Sequence, residues 1–222
     1  MMSFFRQPQQ VRQREIEYFD TLREFQPEAF AKRLNHLIEE EFSRKMRAGV
    51  VFLCIGTDRS TGDSLGPLVG RGLRERLGRG AVLGTLEQPV HAMNLEFYVR
   101  RLRTRFADHL VIAVDASVGS ADHVGYATLE RGALRPGLGV SKELGEVGDI
   151  SITGIVGGAS SADPLMLQSV RLSMVMCMAE RICESIVEAT RRWELPVTRE
   201  NAQICWNGIT ANTLKKREQR QC

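Results

Sequence analysis

The sequence predicts an α/β fold of three layers, in which helices cover both faces of a mostly parallel, mixed central sheet. Two short apolar runs, 50–55 and 109–114, have the composition of strands that are buried on both faces. Segments with apolar residues at helical spacing alternate with these runs, so the order up to residue 115 is strand, helix, strand, helix, strand. Such alternation indicates a parallel sheet, because parallel neighbours need a crossover connection.

The N-terminal part of the chain has a helical pattern. Apolar residues at positions 16, 19, 22 and 25 predict a short helix. A longer apolar face predicts a second helix from Pro27 to about Met46, with the proline in its first turn. We therefore expect residues 1–48 to form a helical N-terminal extension that packs on the main domain.

The main α/β domain is predicted over residues 49–192. After the strand at 50–55 we expect a helix from near Gly66, a strand at 81–86 and a helix that Asn94 caps. Strands at 124–129 and 149–156 follow the one at 109–114, with a glycine-rich surface loop between them, and a long helix spans about 163–192. Residues 193–222 show a weak pattern and are expected to be a C-terminal tail.

Charge and composition narrow the classes of function. The net charge of +3 comes from basic residues that are dispersed among acidic ones, which argues against a nucleic-acid partner. The longest apolar run, Val50–Ile55, is far shorter than the roughly 20 residues that cross a bilayer, and the N-terminus lacks the apolar part of a signal peptide. We therefore expect no membrane partner and a cytoplasmic location. The 5 cysteines form no CxxC pair, which argues against a zinc site or a disulfide framework.

Two aspartates follow core strands at the same predicted edge of the sheet. Asp63 lies in the loop GTDRSTGDSLGP after the first strand, and Asp115 closes the strand at 109–114. Ligands of open α/β sheets bind at the carboxyl ends of the strands, so the two carboxylates are expected to converge there. Such a pair can act as acid and base around a water, bind a divalent metal or recognise a cation. An aspartate at a strand end also caps helices or tightens turns, so spacing alone leaves the role open.

Other chemistries fit less well. The glycine-rich loop after the first strand matches neither GxGxxG nor GxxxxGK[ST]. No serine lies in a GxSxG motif, and His91 and His123 have no clear partner in the sequence. Cys54 lies inside the first strand, where burial is expected to raise its pKa and make it unreactive.

Several motifs together resemble a known family. The segments GTDRSTGDSLGP, VIAVDAS, PGLGVSK and VGDISITGIV resemble the sporulation protein YyaC family over about residues 48–190, and more distantly the spore germination protease. That protease family uses two aspartates as an unusual aspartic peptidase, and these match Asp63 and Asp115. The resemblance implies a phosphorylase/hydrolase-like, hydrogenase-maturation-protease-like fold. In its HPGSGV-like loop, Arg135 replaces a histidine.

The resemblance implies a sporulation-associated, aspartate-dependent endopeptidase. Its substrate would be a protein or peptide, with small acid-soluble spore proteins as candidates, and its location the forespore or spore core. Backbone groups of Gly62, Ser64, Gly137 and Gly139 are the candidate substrate-binding positions. No cofactor is expected on this hypothesis.

Two alternatives stay open. The hydrogenase maturation endopeptidases share the fold and bind nickel through a Glu, an Asp and a His, so a divalent metal at Asp63 and Asp115 is one alternative. His123 is the nearest candidate for the third ligand. The other alternative is a non-catalytic regulatory or binding protein of sporulation. Homo-oligomer formation is left open by the sequence.

Overall fold

The computed structural model of the protein describes residues 15–78, 81–136, 145–158, 167–191 and 193. Six strands form one sheet in the order β1-β5-β6-β4-β2-β3. Their bounds are β1 Ile16–Asp20, β2 Gly49–Cys54, β3 Val82–Leu83, β4 His109–Gly119, β5 Tyr126–Arg131 and β6 Ile150–Gly158. Strands β3, β2, β4 and β6 are parallel, whereas β5 and β1 are antiparallel to their neighbours. The predicted mostly parallel, mixed sheet is confirmed.

Four α-helices within the described residues complete the three predicted layers. Their bounds are α1 Pro27–Arg44, α2 Leu65–Leu77, α3 Leu95–Arg105 and α4 Leu172–Thr190. Helices α1, α2 and α4 form one apolar core with the side chains of Val50, Phe52 and Cys54 on β2. Helix α3 forms a second core with Val51 and Leu53. Because side chains alternate along a strand, β2 supplies both cores, and this explains its continuous apolar run.

The short helix predicted over residues 16–25 is wrong, because residues 16–20 form a strand and residues 21–25 are not helical. Residues 16–20 form strand β1, which pairs antiparallel with β5, and the backbone of Thr21 continues this contact by donating to the Gly125 carbonyl over 3.1 Å. The spacing of four apolar residues resembled a helix, but pairing with a distant strand determines the conformation. Helix α1 is confirmed, and Phe30 and Leu34 are fully buried in the main core. Of the predicted N-terminal extension, β1 therefore shares the sheet of the main domain and α1 shares its core, whereas residues 1–14 lie outside the described residues.

The remaining elements differ from the predictions mainly at their ends. Strand β3 has only 2 residues, and β4 continues beyond Asp115 to Gly119. Of the predicted C-terminal tail, only Trp193 lies within the described residues, and its ring packs on Phe42 at 4.7 Å between centroids. Within the described part of the chain, no helix is long and apolar enough to cross a membrane.

Candidate active site

Asp63 is held by a tight loop between β2 and α2. It lies in a single 3-10 turn, Gly62–Ser64, and the Thr57 N–H donates to the Asp63 carbonyl over 3.0 Å. Gly56 has φ +136°, and a Cβ atom there would lie 2.0 Å from the same carbonyl oxygen. A Cβ atom on Gly66 would lie 1.9 Å from the Ile55 carbonyl oxygen. The glycines of this loop therefore let the 3-10 turn and the start of α2 fold back against the end of β2.

Asp115 lies where β2 leaves the sheet. Strand β2 pairs with β4 as far as Cys54 opposite Val114, and the Ile55 N–H donates to the Val114 carbonyl over 2.7 Å. Strand β4 pairs with β6 from Ile112 to Gly119, and its pairing with β2 ends at Val114. The 3-10 turn that carries Asp63 contacts β4, and the charge of Asp63 acts on Asp115. The two predicted catalytic residues are thus brought together.

The charges of the two carboxyls act on each other. Burial raises the pKa of Asp115 well above its ordinary value, the charge of Asp63 raises it further, and the Ala116 N–H, which donates to Asp115 Oδ1 over 2.8 Å, lowers it. Burial also raises the pKa of Asp63, whereas the Thr57 N–H and the charge of His91 lower it. The environment therefore favours the protonated form at Asp115 more strongly than at Asp63.

His91 is the residue that the sequence interpretation missed. It follows Val90, whose carbonyl accepts from the Gly56 N–H over 2.7 Å and which bridges to Ile55 in a parallel arrangement. The loop after β3 is thereby placed beside the loop that carries Asp63, and the charge of His91 acts on Asp63, an interaction that the sequence does not indicate. The signal was its position in the loop after the short edge strand β3, at the same edge of the sheet that marks Asp63 and Asp115.

The ring of His91 has a defined orientation. The Met93 N–H donates to its Nδ1 over 3.3 Å, so in the neutral ring the proton is on Nε2. The His91 N–H donates to Asn94 Oδ1 over 2.8 Å, and the His91 carbonyl accepts from the backbone of Asn94 and Leu95. The N-terminal turn of α3 therefore holds the histidine near Asp63.

The predicted substrate-binding positions divide into two groups. Gly62 and Ser64 are buried: a Cβ atom on Gly62 would meet Leu167 and Val156, and the Ser64 hydroxyl donates to the Thr61 carbonyl over 2.6 Å. These contacts hold the 3-10 turn in place, and their role in substrate binding stays a prediction. Gly137 and Gly139 lie outside the described residues.

Other polar candidates have their own partners. His123 Nδ1 lies 3.0 Å from the Ser120 hydroxyl, and Arg135 forms an ion pair with Glu146 at 2.7 Å. Cys54 is fully buried, and burial raises the pKa of its thiol, as predicted. Within the described residues, no group of three or more His, Cys, Asp and Glu side chains is arranged to hold a metal ion.

Comparison with known proteins assigns a family. The family described as "Protein of unknown function (DUF1256)" matches residues 23–185. The chain belongs to this family. It is 42% identical over 159 residues to the uncharacterized protein YyaC of Bacillus subtilis (strain 168), and the match covers 71% of this chain and 78% of that protein. The resemblance to the YyaC family is thus confirmed, and the family match begins before α1.

A solved structure is also similar in part. It is the crystal structure of the [NiFe] hydrogenase maturation protease HycI from Thermococcus kodakarensis KOD1, with a TM-score of 0.45 and 23% sequence identity. The alignment covers 69% of this chain and 97% of that chain.

Proposed function

We propose that this chain is a sporulation-associated endopeptidase that uses the carboxyls of Asp63 and Asp115 and needs no cofactor. The observation that supports this proposal is the coupled pair itself, in which the pKa of buried Asp115 is raised both by burial and by the charge of Asp63. When the environment gives two neighbouring carboxyls different pKa values, one can hold a proton while the other is ionised, so the pair can act as acid and base at the same centre. The YyaC-family motifs that carry both aspartates support the same reaction type.

In the proposed reaction, Asp63 is the base and Asp115 is the acid. Asp63 is only partly buried, and the Thr57 N–H and His91 favour its ionised form. It takes a proton from a water whose oxygen forms a bond to the carbonyl carbon of the substrate. Asp115 gives its proton to the carbonyl oxygen, and a tetrahedral diol results. When the diol collapses, Asp63 returns a proton to the leaving nitrogen, the C–N bond breaks, and Asp115 recovers its proton from the diol.

The proposed substrate is a protein, with small acid-soluble spore proteins as the first candidates by resemblance of the motifs. No nucleic acid or membrane takes part in the proposal, and the proposed location is the cytoplasm of the forespore or the spore core. The proposal uses no metal, because the donor set at Asp63 and Asp115 lacks a third ligand arranged for one within the described residues. Whether the protein forms a homo-oligomer does not enter the proposed reaction.

The test is to incubate the purified protein with small acid-soluble spore proteins between about pH 5 and 8, with and without a chelator. Asp63→Asn and Asp115→Asn are compared with Asp58→Asn, which changes an exposed aspartate in the same loop. We expect cleavage that survives chelation, is lost in the two site variants and is retained in Asp58→Asn.

The other outcomes separate the alternatives. Cleavage that the chelator abolishes would replace the proposal with a metal-dependent protease of the maturation type. Absence of cleavage by the folded wild-type protein would favour a non-catalytic regulatory protein. In that case Asp63→Asn should leave the cellular role of the protein intact.

A further inference from the structure

The two faces of the sheet are covered unequally. Helices α1, α2 and α4 cover one face, and α3 with the side chains of Leu134 and Val147 covers β2 and β4 on the other. Among the described elements, no α-helix packs on the β6, β5 and β1 part of this second face, and only the 3-10 turn Ala121–His123 lies against it. Asp115 belongs to this second face, because it alternates with Val114, which lies in the core of the three helices.

A row of side chains crosses this part of the second face. Asp115 on β4 pairs with Thr153 on β6, Thr153 pairs with Thr128 on β5, and Thr128 pairs with Tyr18 on β1. Directly paired residues project from the same face of a sheet, so these four form one continuous row, which we call the cross-strand row. It begins at the candidate acid and ends at the edge strand of the sheet.

The middle of the cross-strand row is a connected set of hydroxyls. The hydroxyl oxygens of Thr128 and Thr153 lie 2.6 Å apart, and the Ser117 hydroxyl donates to Thr153 over 3.3 Å. Each hydroxyl has one donor and two acceptor positions. Thr128 is buried, whereas Thr153 and Ser117 are partly exposed and keep capacity for hydrogen bonds to a ligand. Neither threonine is charged, and no residue of the row is basic. The row is therefore suited to the neutral N–H and C=O groups of a polypeptide.

The outer end of the cross-strand row is an aromatic patch, formed by Tyr18, His123 and Tyr126. The rings of Tyr18 and His123 stack at 4.7 Å between centroids, and His123 meets Tyr126 edge to face at 5.2 Å. The contact of His123 with the Ser120 hydroxyl holds its ring in place. Tyr18 is nevertheless 47% exposed, although it is a large ring in an ordered stack. An exposed, pre-oriented aromatic surface is suited to an apolar or aromatic side chain.

We propose that the cross-strand row is the substrate channel of this protein, and this inference rests on the proposed peptidase function. The substrate chain lies extended across β4, β6, β5 and β1, with its scissile bond at Asp115 and an apolar or aromatic side chain on the aromatic patch. Three strand spacings of about 4.8 Å give roughly 14 Å, and an extended chain advances about 3.3 Å per residue. The side chain on the patch is therefore about four residues from the cleaved bond.

The test uses fluorescein-labelled dodecapeptides of Gly, Ala and Ser that contain one Phe, with a peptide without Phe as reference. Their binding to the full chain is measured by fluorescence anisotropy, which needs no cleavage. We expect Tyr18→Ala to bind the Phe peptides about tenfold more weakly, the scale of one lost aromatic contact, and Tyr18→Phe to bind as the wild type does. Met176→Ala is the matched control, because this side chain is 52% exposed on α4, on the opposite side of the sheet.

The outcomes separate this inference from the proposed function. Equal affinity of wild type and folded Tyr18→Ala, or equal affinity for peptides with and without Phe, overturns the channel even if the protein cleaves other substrates. Loss of binding in Tyr18→Ala, with no cleavage of any peptide, supports the channel and counts against the peptidase reaction. Where cleavage occurs, a cut about four residues from Phe supports the channel, and a cut with no fixed relation to Phe overturns it.

Discussion

Two pairs of ionisable side chains, Asp63 with Asp115 and Cys54 with Cys183, each contain a buried member, and burial has opposite consequences in the two pairs. Burial is the largest cause of the raised pKa of both Asp115 and Cys54, and a neighbour of like charge raises each further: Asp63 for the carboxyl, Cys183 for the thiol. The ordinary pKa of a carboxyl lies below neutral pH, so an increase brings it closer to neutrality, where the group can both give and take a proton. The ordinary pKa of a thiol lies above neutral pH, so the same increase leaves almost no reactive thiolate at neutral pH.

The two pairs are also neighbours in the sheet. Cys54 pairs with Val114, the residue before Asp115, and both Cys54 and Val114 lie in the core of the three helices. Because side chains alternate, Asp115 projects from the other face. One position along β4 thus separates a pair enclosed by helices from a pair bordered by loops. Whether burial makes a side chain more or less reactive therefore depends on the face of the sheet to which it belongs and on the ordinary pKa of the group.

The largest expected effect is on catalysis. Asp115→Asn should lower the rate of peptide cleavage on the order of 10³-fold, because it removes the proposed acid. Cys54 pairs with Val114, next to Asp115, but belongs to the other face of the sheet. Cys54→Ala should change the rate by no more than about twofold, since the neutral thiol takes no part in the reaction. Steady-state cleavage of one labelled peptide by both variants checks this. A large loss in folded Cys54→Ala would show that the two faces are not functionally distinct.

The next effect is on the loop that brings the carboxyls together. Gly66→Ala should lower the free energy of unfolding by roughly 3 kcal/mol, because its Cβ atom would lie 1.9 Å from the Ile55 carbonyl oxygen. Gly145→Ala is the control, since a Cβ atom there meets nothing within 4 Å. Urea denaturation of the two variants measures the difference. Equal stability would mean that α2 can shift away from β2 at little cost.

The pH dependence of stability should differ between the pairs. The folded-state pKa of Asp115 is raised above its ordinary value of 3.8, so the folded protein keeps a proton that the unfolded chain releases. This contribution is fully present below that value and is lost as pH rises through the folded-state pKa. Asp115→Asn should remove this loss of stability. Cys54→Ala should change the pH dependence of stability only above pH 9.0, the ordinary pKa of a thiol. Thermal unfolding measured across pH tests both windows, and identical pH curves for Asp115→Asn and wild type would contradict the assignment.

The smallest expected effect concerns His91. Its charge lowers the pKa of Asp63, so His91→Gln should raise that pKa and move the acid limb of the rate profile to higher pH. The rate should fall several-fold near the acid limb and change little at the alkaline end. His36→Gln, which changes an exposed histidine on α1, should leave the profile unchanged. An unmoved acid limb in His91→Gln would remove His91 from the site.

Local patterns predicted much of the fold and part of the site. The apolar runs at 50–55 and 109–114 identified β2 and β4, and the rule that ligands bind at carboxyl ends of strands placed Asp63 beside Asp115. A strand is predicted at 81–86, but β3 ends at Leu83 and the residues around His91 do not show that this loop returns to Asp63. Four apolar residues at helical spacing predict a helix where β1 lies, and nothing in that segment indicates that it pairs with the strand predicted at 124–129.

The alternation of strands and helices, the two buried strands and the two aspartates after them can all be predicted from local sequence, since they depend on periodicity and on neighbouring residues. Two features appear only in the folded chain: the register that aligns Asp115, Thr153, Thr128 and Tyr18, and the turn that brings His91 to Asp63. The physical reason is that strand pairing joins residues far apart in the chain. A shift of one residue would turn every side chain of the row to the opposite face.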